Sequence, residues 1–457
     1  SGFLVQGGPR DDVAALVARL HAESRAPILV AAHAERGAGQ GVVGLTELPC
    51  FGALASVAVV QGEDDAVPSL DVDVVRRAAR LTARELRSVG LNWALAPVCD
   101  LDLARGSSRV GIRGAGSDPA IVSAIVAEWV DACQSESVVA CAMHFPGIGR
   151  MAASGAVSDS ASILRTADFA PFIAAIDGGA ASVMVSPVRV PGLGAPEGAM
   201  YSAALIENLL RNELHFDGLV VTVPFDREPG FALADEPANA IAAIAAGCDL
   251  ILAPSDLSGV GDALTKAAAH GELLPSRVRE ASARVDRWAG WARPNTDAPA
   301  REASLDDVMW SRQIADRCIH YVSGQRPRVG ATIEVVNVVS AVNSGPRASL
   351  TGFADTLRAL HVEVSESSAP MPKERAPLAV QFVPDDSVGD AVTRDELNRA
   401  RAMVEPAIKA GRDTVVIAYC HPRAAAALGR DLSIVCAWEP TRAMQQAAAR
   451  ALFTASR

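Results

Sequence analysis

Short apolar runs rich in Val, Ile and Ala recur along residues 1–256, and longer stretches between them repeat their apolar positions every three or four residues. That alternation predicts parallel βα units. Strands are expected at Phe3 to Val5, Ile28 to His33, Leu91 to Val98, Val138 to His144, Ala181 to Ser186, Gly218 to Val223 and Asp249 to Ala253. The helical periods fall at Asp11 to Ser24, Val72 to Val89, Pro119 to Glu136, Phe169 to Gly178, Ala203 to Leu214, Glu236 to Ala246 and Pro275 to Ala292. Asp118-Pro119 puts a capping carboxylate and a first-turn proline at one helix start.

Seven strands are one short of a (β/α)8 barrel, so the pattern predicts an α/β fold of TIM-barrel type with one strand missing. The polar, proline-bearing stretch Arg293 to Ser304 reads as a linker, followed by a helix at Leu305 to Tyr321. Beyond it, strands are expected at Thr332 to Val339, Val362 to Ser365, Leu378 to Val383, Thr414 to Tyr419 and Ser433 to Trp438. Helices fall near Ser349 to Leu360, Arg394 to Ala410 and Thr441 to Ala455. The expected domains are therefore residues 1–292, a linker and helix over 293–330, and a smaller parallel-sheet α/β domain over 331–457.

The 457 residues suffice for two cores. A net charge of -11 argues against a nucleic-acid partner, since that affinity comes largely from Lys and Arg on phosphates. No apolar run is long enough for a transmembrane helix. The eight Cys form no CxxC pair, so free buried thiols are expected, with no metal and no cofactor, and unpaired Cys favours a cytoplasmic setting. The chain begins at Ser1 without a visible signal peptide, which leaves the compartment open.

Chemistry is most concentrated in Val138 to Arg150, VVACAMHFPGIGR, where an apolar strand delivers His144 to a Phe-Pro-Gly turn. This stretch resembles the KHFPGHGDT signature of family 3 glycoside hydrolases, the β-N-acetylhexosaminidase branch in particular. ILVAAHAERGAGQ at 28–40 is similar to that family's IDQEGGRVQ, and Thr46, Leu48, Pro49 and Ala53-Leu54-Ala55 follow its T-LP---ALA pattern. Leu95 to Asp100 resembles FAPVLD; Arg113 with Gly116-Ser117-Asp118-Pro119 resembles GRSFGSDP. Asp168 to Phe172 matches DL-PF, RNELHFDGLVV at 211–221 matches LR-ELGFDGVV, and Ala246 to Asp249 matches AG-D.

The resemblance implies a barrel whose first strand would precede the SGFLVQGG run at 1–8, either removed or absent from an incomplete barrel, together with a sugar-binding mouth, and it also locates what is missing. Retaining glycosidases need a carboxylate nucleophile and an acid/base about 5 to 5.5 Å apart. In this family the nucleophile is the Asp after the strand-ending Ser or Thr, as in FSDDL; here that position holds Val223, and the nearest carboxylate downstream is Asp226. The Asp-x-His acid/base dyad has no counterpart in Ile148 to Ala156, and Asp159 lacks a His two residues on. The substrate Asp falls on His33, the Arg on Ala38 and the Lys of KH on Met143, so Arg113 and His144 are what remains of the sugar clamp. Each lost charged partner costs about 1.5 to 3 kcal/mol.

His33, Asp100, Arg113 and His144 are therefore the candidate ligand-binding residues of a vestigial pocket, with no catalytic residue assigned and Asp226 as the fallback. A His33/Asp100/His144 grouping could hold a metal or could be mutually hydrogen-bonded, and the absence of local ligand spacing favours the second. Ser186 lacks the GxSxG turn of an exposed nucleophile. The expected function is that of a catalytically inactive family 3 relative with a structural, scaffold or binding role beside another protein subunit or a carbohydrate. The alternative is an enzyme, a divergent β-N-acetylhexosaminidase or other glycosidase acting on O-glycosyl bonds, or a lyase, using Asp226, Asp100 or His144.

Overall fold

Six of the seven expected runs form one parallel sheet, in the order Gly2–Val5, Leu29–His33, Trp93–Leu95, Val139–Phe145, Ser182–Val185 and Leu219–Thr222. In this computed structural model, residues 2–60, 69–103, 109–152, 154–225, 235–293, 303–324, 330–339, 349–371, 376–385 and 392–454 are described. The first elements are β1 (Gly2–Val5), α1 (Arg10–Glu23), β2 (Leu29–His33), α2 (Phe51–Ala58), β3 (Val59–Val60), β4 (Ser69–Leu70), α3 (Val72–Ser88), β5 (Trp93–Leu95) and α4 (Pro119–Gln134). Then come β6 (Val139–Phe145), α5 (Ala161–Ile163), α6 (Ala170–Asp177), β7 (Ser182–Val185), β8 (Leu219–Thr222), α7 (Glu236–Ala246), α8 (Leu257–Ala269) and α9 (Pro275–Trp291). The α4 start is capped as its sequence suggests, with the Asp118 carboxylate accepting from the Ala120 and Ile121 amides behind Pro119.

The described residues divide into two compact units: Ser1–Thr46, Ala58–Ser107 and Gly114–Ser304 in the first, Glu47–Val57, Ser108–Arg113 and Leu305–Arg457 in the second. In the first unit the sheet curls as a half-barrel, and every ladder in it is parallel. The expected strand Asp249 to Ala253 is reduced to a single bridge between Leu250 and Val221. Two local features account for this correction: Ala253 has φ 45, off the extended region, and the Asp249 side chain is bound by three arginines. Among the described residues the sheet thus runs from β1 to Leu250 without closing on itself.

Helix α9 straps the amino end of this open sheet. The Asp249 carboxylate, fully buried, receives Arg211 at 2.6 Å, Arg284 at 3.1 Å, Arg277, and the Val220 amide at 3.0 Å. Arg277 and Arg284 come from α9. At the far end of that helix, Asn92 Nδ2 donates to Ala292 O and Ile28 O, while Arg87 Nη1 donates to Ser137 O and Ala292 O. Seventeen helical residues reach about 26 Å, enough to run from the start of β8 to the start of β5.

The second unit contains α10 (Leu305–Arg317), β9 (His320–Ser323), β10 (Thr332–Val339), α11 (Thr351–Ala359), β11 (Glu363–Ser367), β12 (Leu378–Val383), α12 (Arg394–Lys409), β13 (Thr414–Ala418), α13 (Pro422–Ala426), β14 (Ile434–Cys436) and α14 (Arg442–Thr454). Its sheet, ordered β11-β10-β12-β13-β14-β9, is mixed rather than wholly parallel as expected, because β9 pairs antiparallel with β14. The sequence pattern places residues 319–321 at the end of a helix; in the structure they follow Cys318 into that short edge strand. Val336, Val380 and Phe382 line one face of the sheet and Ile333, Val335 and Ile417 the other, the burial on both sides that parallel strands require. Of the expected linker at 293–304, residues 294–302 lie outside the described set.

Candidate functional site

The carboxyl ends of a parallel sheet are where its loops gather and where barrel folds build sites. At this end β6 delivers His144 as expected, one residue before the strand stops, at a point where the β6-β7 register shifts. The loop after β5 supplies Asp100, whose side chain is wholly buried. Its Oδ2 accepts from His144 Nδ1 at 2.8 Å and from the His144 amide at 3.1 Å, and its Oδ1 accepts from the Ile148 amide at 2.9 Å. One carboxylate therefore fixes both the imidazole and the turn that follows it.

Two glycines explain why that turn can close. Gly147 has φ +110, a conformation that side chains rarely adopt. Gly149 lies against the backbone of Leu101, where an added Cβ would sit 2.1 Å from the Leu101 carbonyl oxygen. The loops after β5 and β6 are thus in direct backbone contact.

Beyond the turn, Arg150 Nε donates to Asp168 Oδ2 at 2.6 Å, and the same guanidinium is 3.5 Å from Asp159. Asp168 is 3% exposed, and burial holds its carboxyl above the ordinary range in spite of Arg150. Asp159, the acidic residue nearest the lost dyad in sequence, is therefore engaged in this group. The Arg150 triad went unread in the sequence. Its one available signal is a charge reversal, since the Asp of KHFPGHGDT falls on Arg150.

Val223, directly after β8, is 6% exposed, and Thr222 before it is fully buried, with its Oγ1 accepting from the Leu252 amide at 3.2 Å. Ser186 also faces inward: its Oγ donates to Phe145 O at 3.2 Å, which fits a strand end rather than a nucleophile. His33 ends β2 half-buried, in register with Leu95 of β5, so that β5 separates it from the β6 strand carrying His144. Arg113 belongs to the segment assigned to the second unit, where its guanidinium donates to Arg109 O at 3.1 Å. Asp226 lies outside the described residues. Of the predicted set, then, Asp100 and His144 are joined directly. Among the described residues, His33, Asp100 and His144 do not form a group able to hold a metal ion.

The profile of the glycosyl hydrolase family 3 N-terminal domain matches residues 9–288. The chain belongs to glycosyl hydrolase family 3. A Cellulomonas fimi protein described as a β-N-acetylglucosaminidase/β-glucosidase is 31% identical over 300 residues, which cover 62% of this family 3 chain and 51% of that protein. The chain thus spans about half the length of that relative. A β-hexosaminidase of Xanthomonas oryzae pv. oryzae is 32% identical over 254 residues, 54% of this chain and 72% of the relative. Among solved structures, a family 3 β-N-acetylglucosaminidase from Paenibacillus superposes with a TM-score of 0.81 at 23% identity, covering 98% of this chain and 89% of the other. A β-glucoside phosphorylase gives 0.81 at 20% identity, covering 99% and 87%. At these identities the two structures speak for the shared fold.

Proposed function

We propose that this family 3 chain engages carbohydrate at the carboxyl end of its half-barrel without hydrolysing it, and that it serves as a binding or scaffold subunit. The observation that carries the reading is Val223, a buried apolar side chain at the position where the family signature places its carboxylate nucleophile. Without a nucleophile and a leaving-group acid, most of the transition-state stabilisation that defines a retaining glycosidase is absent.

The surrounding carboxylates support the same reading. Asp100 is committed to three N–H donors of the β6 turn, while Asp159 and Asp168 are drawn to Arg150. The relatives' names bear on the ligand: a β-hexosaminidase and a β-N-acetylglucosaminidase direct attention to N-acetylated sugars. The depleted clamp makes such binding weak, since three lost partners at about 1.5 to 3 kcal/mol each remove several powers of ten in affinity.

The test is incubation of the pure protein with an aryl β-N-acetylglucosaminide. The expected result is no release of the aryl alcohol above the rate in buffer. Turnover that a single carboxylate substitution abolishes would overturn the proposal.

A further inference from the structure

We propose that the groove beside α3 and α4 is a binding site for a phosphate-class oxyanion, centred on Arg80. The site is independent of the carbohydrate reading above and lies wholly within the first unit.

Arg76, Arg80 and Arg84 follow one another at single-turn spacing along α3, so they share one face of the helix over about 12 Å. Two of them are matched by acids of α4: Arg76 Nε donates to Glu128 Oε2 at 2.6 Å, and Arg84 Nε lies 3.9 Å from Glu136 Oε1. The first pair joins residues 52 apart in sequence and the second has the same separation, so the two helices run parallel and in step. That step carries Arg80 to position 132, which is a fully buried alanine. Among the described residues, the exposed Arg80 makes no ion pair. The ladder between the helices thus has two closed rungs and an open one between them.

The open rung coincides with a groove of about 520 Å³, lined by Arg76, Arg77, Arg80 and Arg84 together with Asp73 and Asp131. That volume suits a small molecule. Four guanidiniums against two carboxylates leave the groove cationic, in a chain whose net charge is -11. The surplus of two matches the two charges of a phosphate monoester. Like charges one turn apart disfavour a helix, and an anion at the open rung relieves that repulsion. The planar fork of a guanidinium also fits the oxygens of a tetrahedral oxyanion. Arg76 commits Nε to Glu128, and its Nη1 is 3.8 Å from an Asp73 that is 89% exposed, so most of its donors remain for a ligand one turn from Arg80. Asp131 opposes the anion and sets an upper bound on affinity.

The experiment follows the arginine Nε–Hε signals of the 15N-labelled full chain by NMR at neutral pH, as sodium phosphate replaces chloride at constant ionic strength. Spectra of Arg76→Gln and Arg80→Gln assign the two signals. The expected result is a saturable shift of both in the wild type, with a millimolar or lower dissociation constant. Read from Arg76, the affinity should fall about tenfold or more in Arg80→Gln and rise several-fold in Asp131→Asn. A hexose 6-phosphate in place of inorganic phosphate identifies the source: tighter binding points to a phosphorylated sugar, equal or weaker binding to the free ion, and both support the site. Shifts that stay linear in phosphate, or an affinity unchanged in either Arg80→Gln or Asp131→Asn, overturn it.

Discussion

Arg150 Nε stands 2.6 Å from Asp168 Oδ2 in a family whose signature has an acid at position 150. With side-chain exposures of 14% and 2%, the pair is shielded from water. Removing the cation alone leaves a buried carboxylate uncompensated, so Arg150→Ala should lower stability by about 3 kcal/mol. Adding Asp168→Asn should recover part of that loss. Urea unfolding of the two variants checks it; equal stability of Arg150→Ala and wild type would show that the pair contributes nothing.

Asp168 also predicts a pH dependence. Burial raises its folded-state pKa above the ordinary 3.8, with Arg150 opposing the rise. Between the two values the folded chain holds more of this proton than the unfolded chain, so the group's contribution to stability is present below that window and lost as pH rises through it. Asp168→Asn should flatten the stability curve just above pH 3.8. Parallel wild-type and variant curves in that range would contradict the assignment.

The strap at the amino end of the sheet depends on Asp249. Asp249→Ala leaves Arg211, Arg277 and Arg284 without their shared buried carboxylate and should cost about 3 to 5 kcal/mol. Arg287→Ala removes an ion pair with Asp217 whose side chains are 47% and 71% exposed, and should cost under about 1 kcal/mol. Thermal melts of both variants discriminate; similar losses would mean that α9 is not held by the Asp249 cluster.

Gly149 and Gly290 make opposite predictions under the same substitution. A Cβ at Gly149 meets the Leu101 carbonyl at 2.1 Å, so Gly149→Ala must shift the backbone and should cost about 1 to 3 kcal/mol. Gly290 lies within α9, and a Cβ there meets nothing within 4 Å; alanine should stabilise it by about 0.5 to 1 kcal/mol. If both changes lower the melting temperature, the contact at Gly149 is not what decides the difference.

The parallel strands and long helices were legible because local periodicity encodes them: β10 and β12 fall at the expected residues, and α7 spans the expected Glu236–Ala246. Helices α2 and α8 went unread. The amphipathic period is weak in Phe51–Ala58, an almost wholly apolar stretch, and Leu257–Ala269 is interrupted by two glycines. The edge strand β9 was absorbed into the preceding helix, since four residues next to a helical pattern carry no period of their own. At the site, His144 and Asp100 could be named from their places at strand ends, but the bond between them joins residues 44 apart. The Arg150–Asp168 pair and the three arginines around Asp249 are likewise long-range choices that spacing does not encode.

Restoring the missing acid is not expected to restore activity. Val223→Asp supplies a carboxylate at a position 6% exposed, yet provides neither leaving-group protonation nor the lost sugar clamp. A burst of aryl alcohol from this variant would reveal an acid/base residue elsewhere in the chain.

The central claim, binding without hydrolysis, is tested most directly by saturation-transfer NMR of an aryl β-N-acetylglucosaminide in the presence of the unlabelled protein, followed over hours in one tube. The account predicts saturation transfer to the sugar ring protons while the substrate signals keep their full intensity. Loss of those signals with growth of free aryl alcohol, abolished by substitution of one carboxylate, would contradict it, as would the absence of any transfer to the sugar.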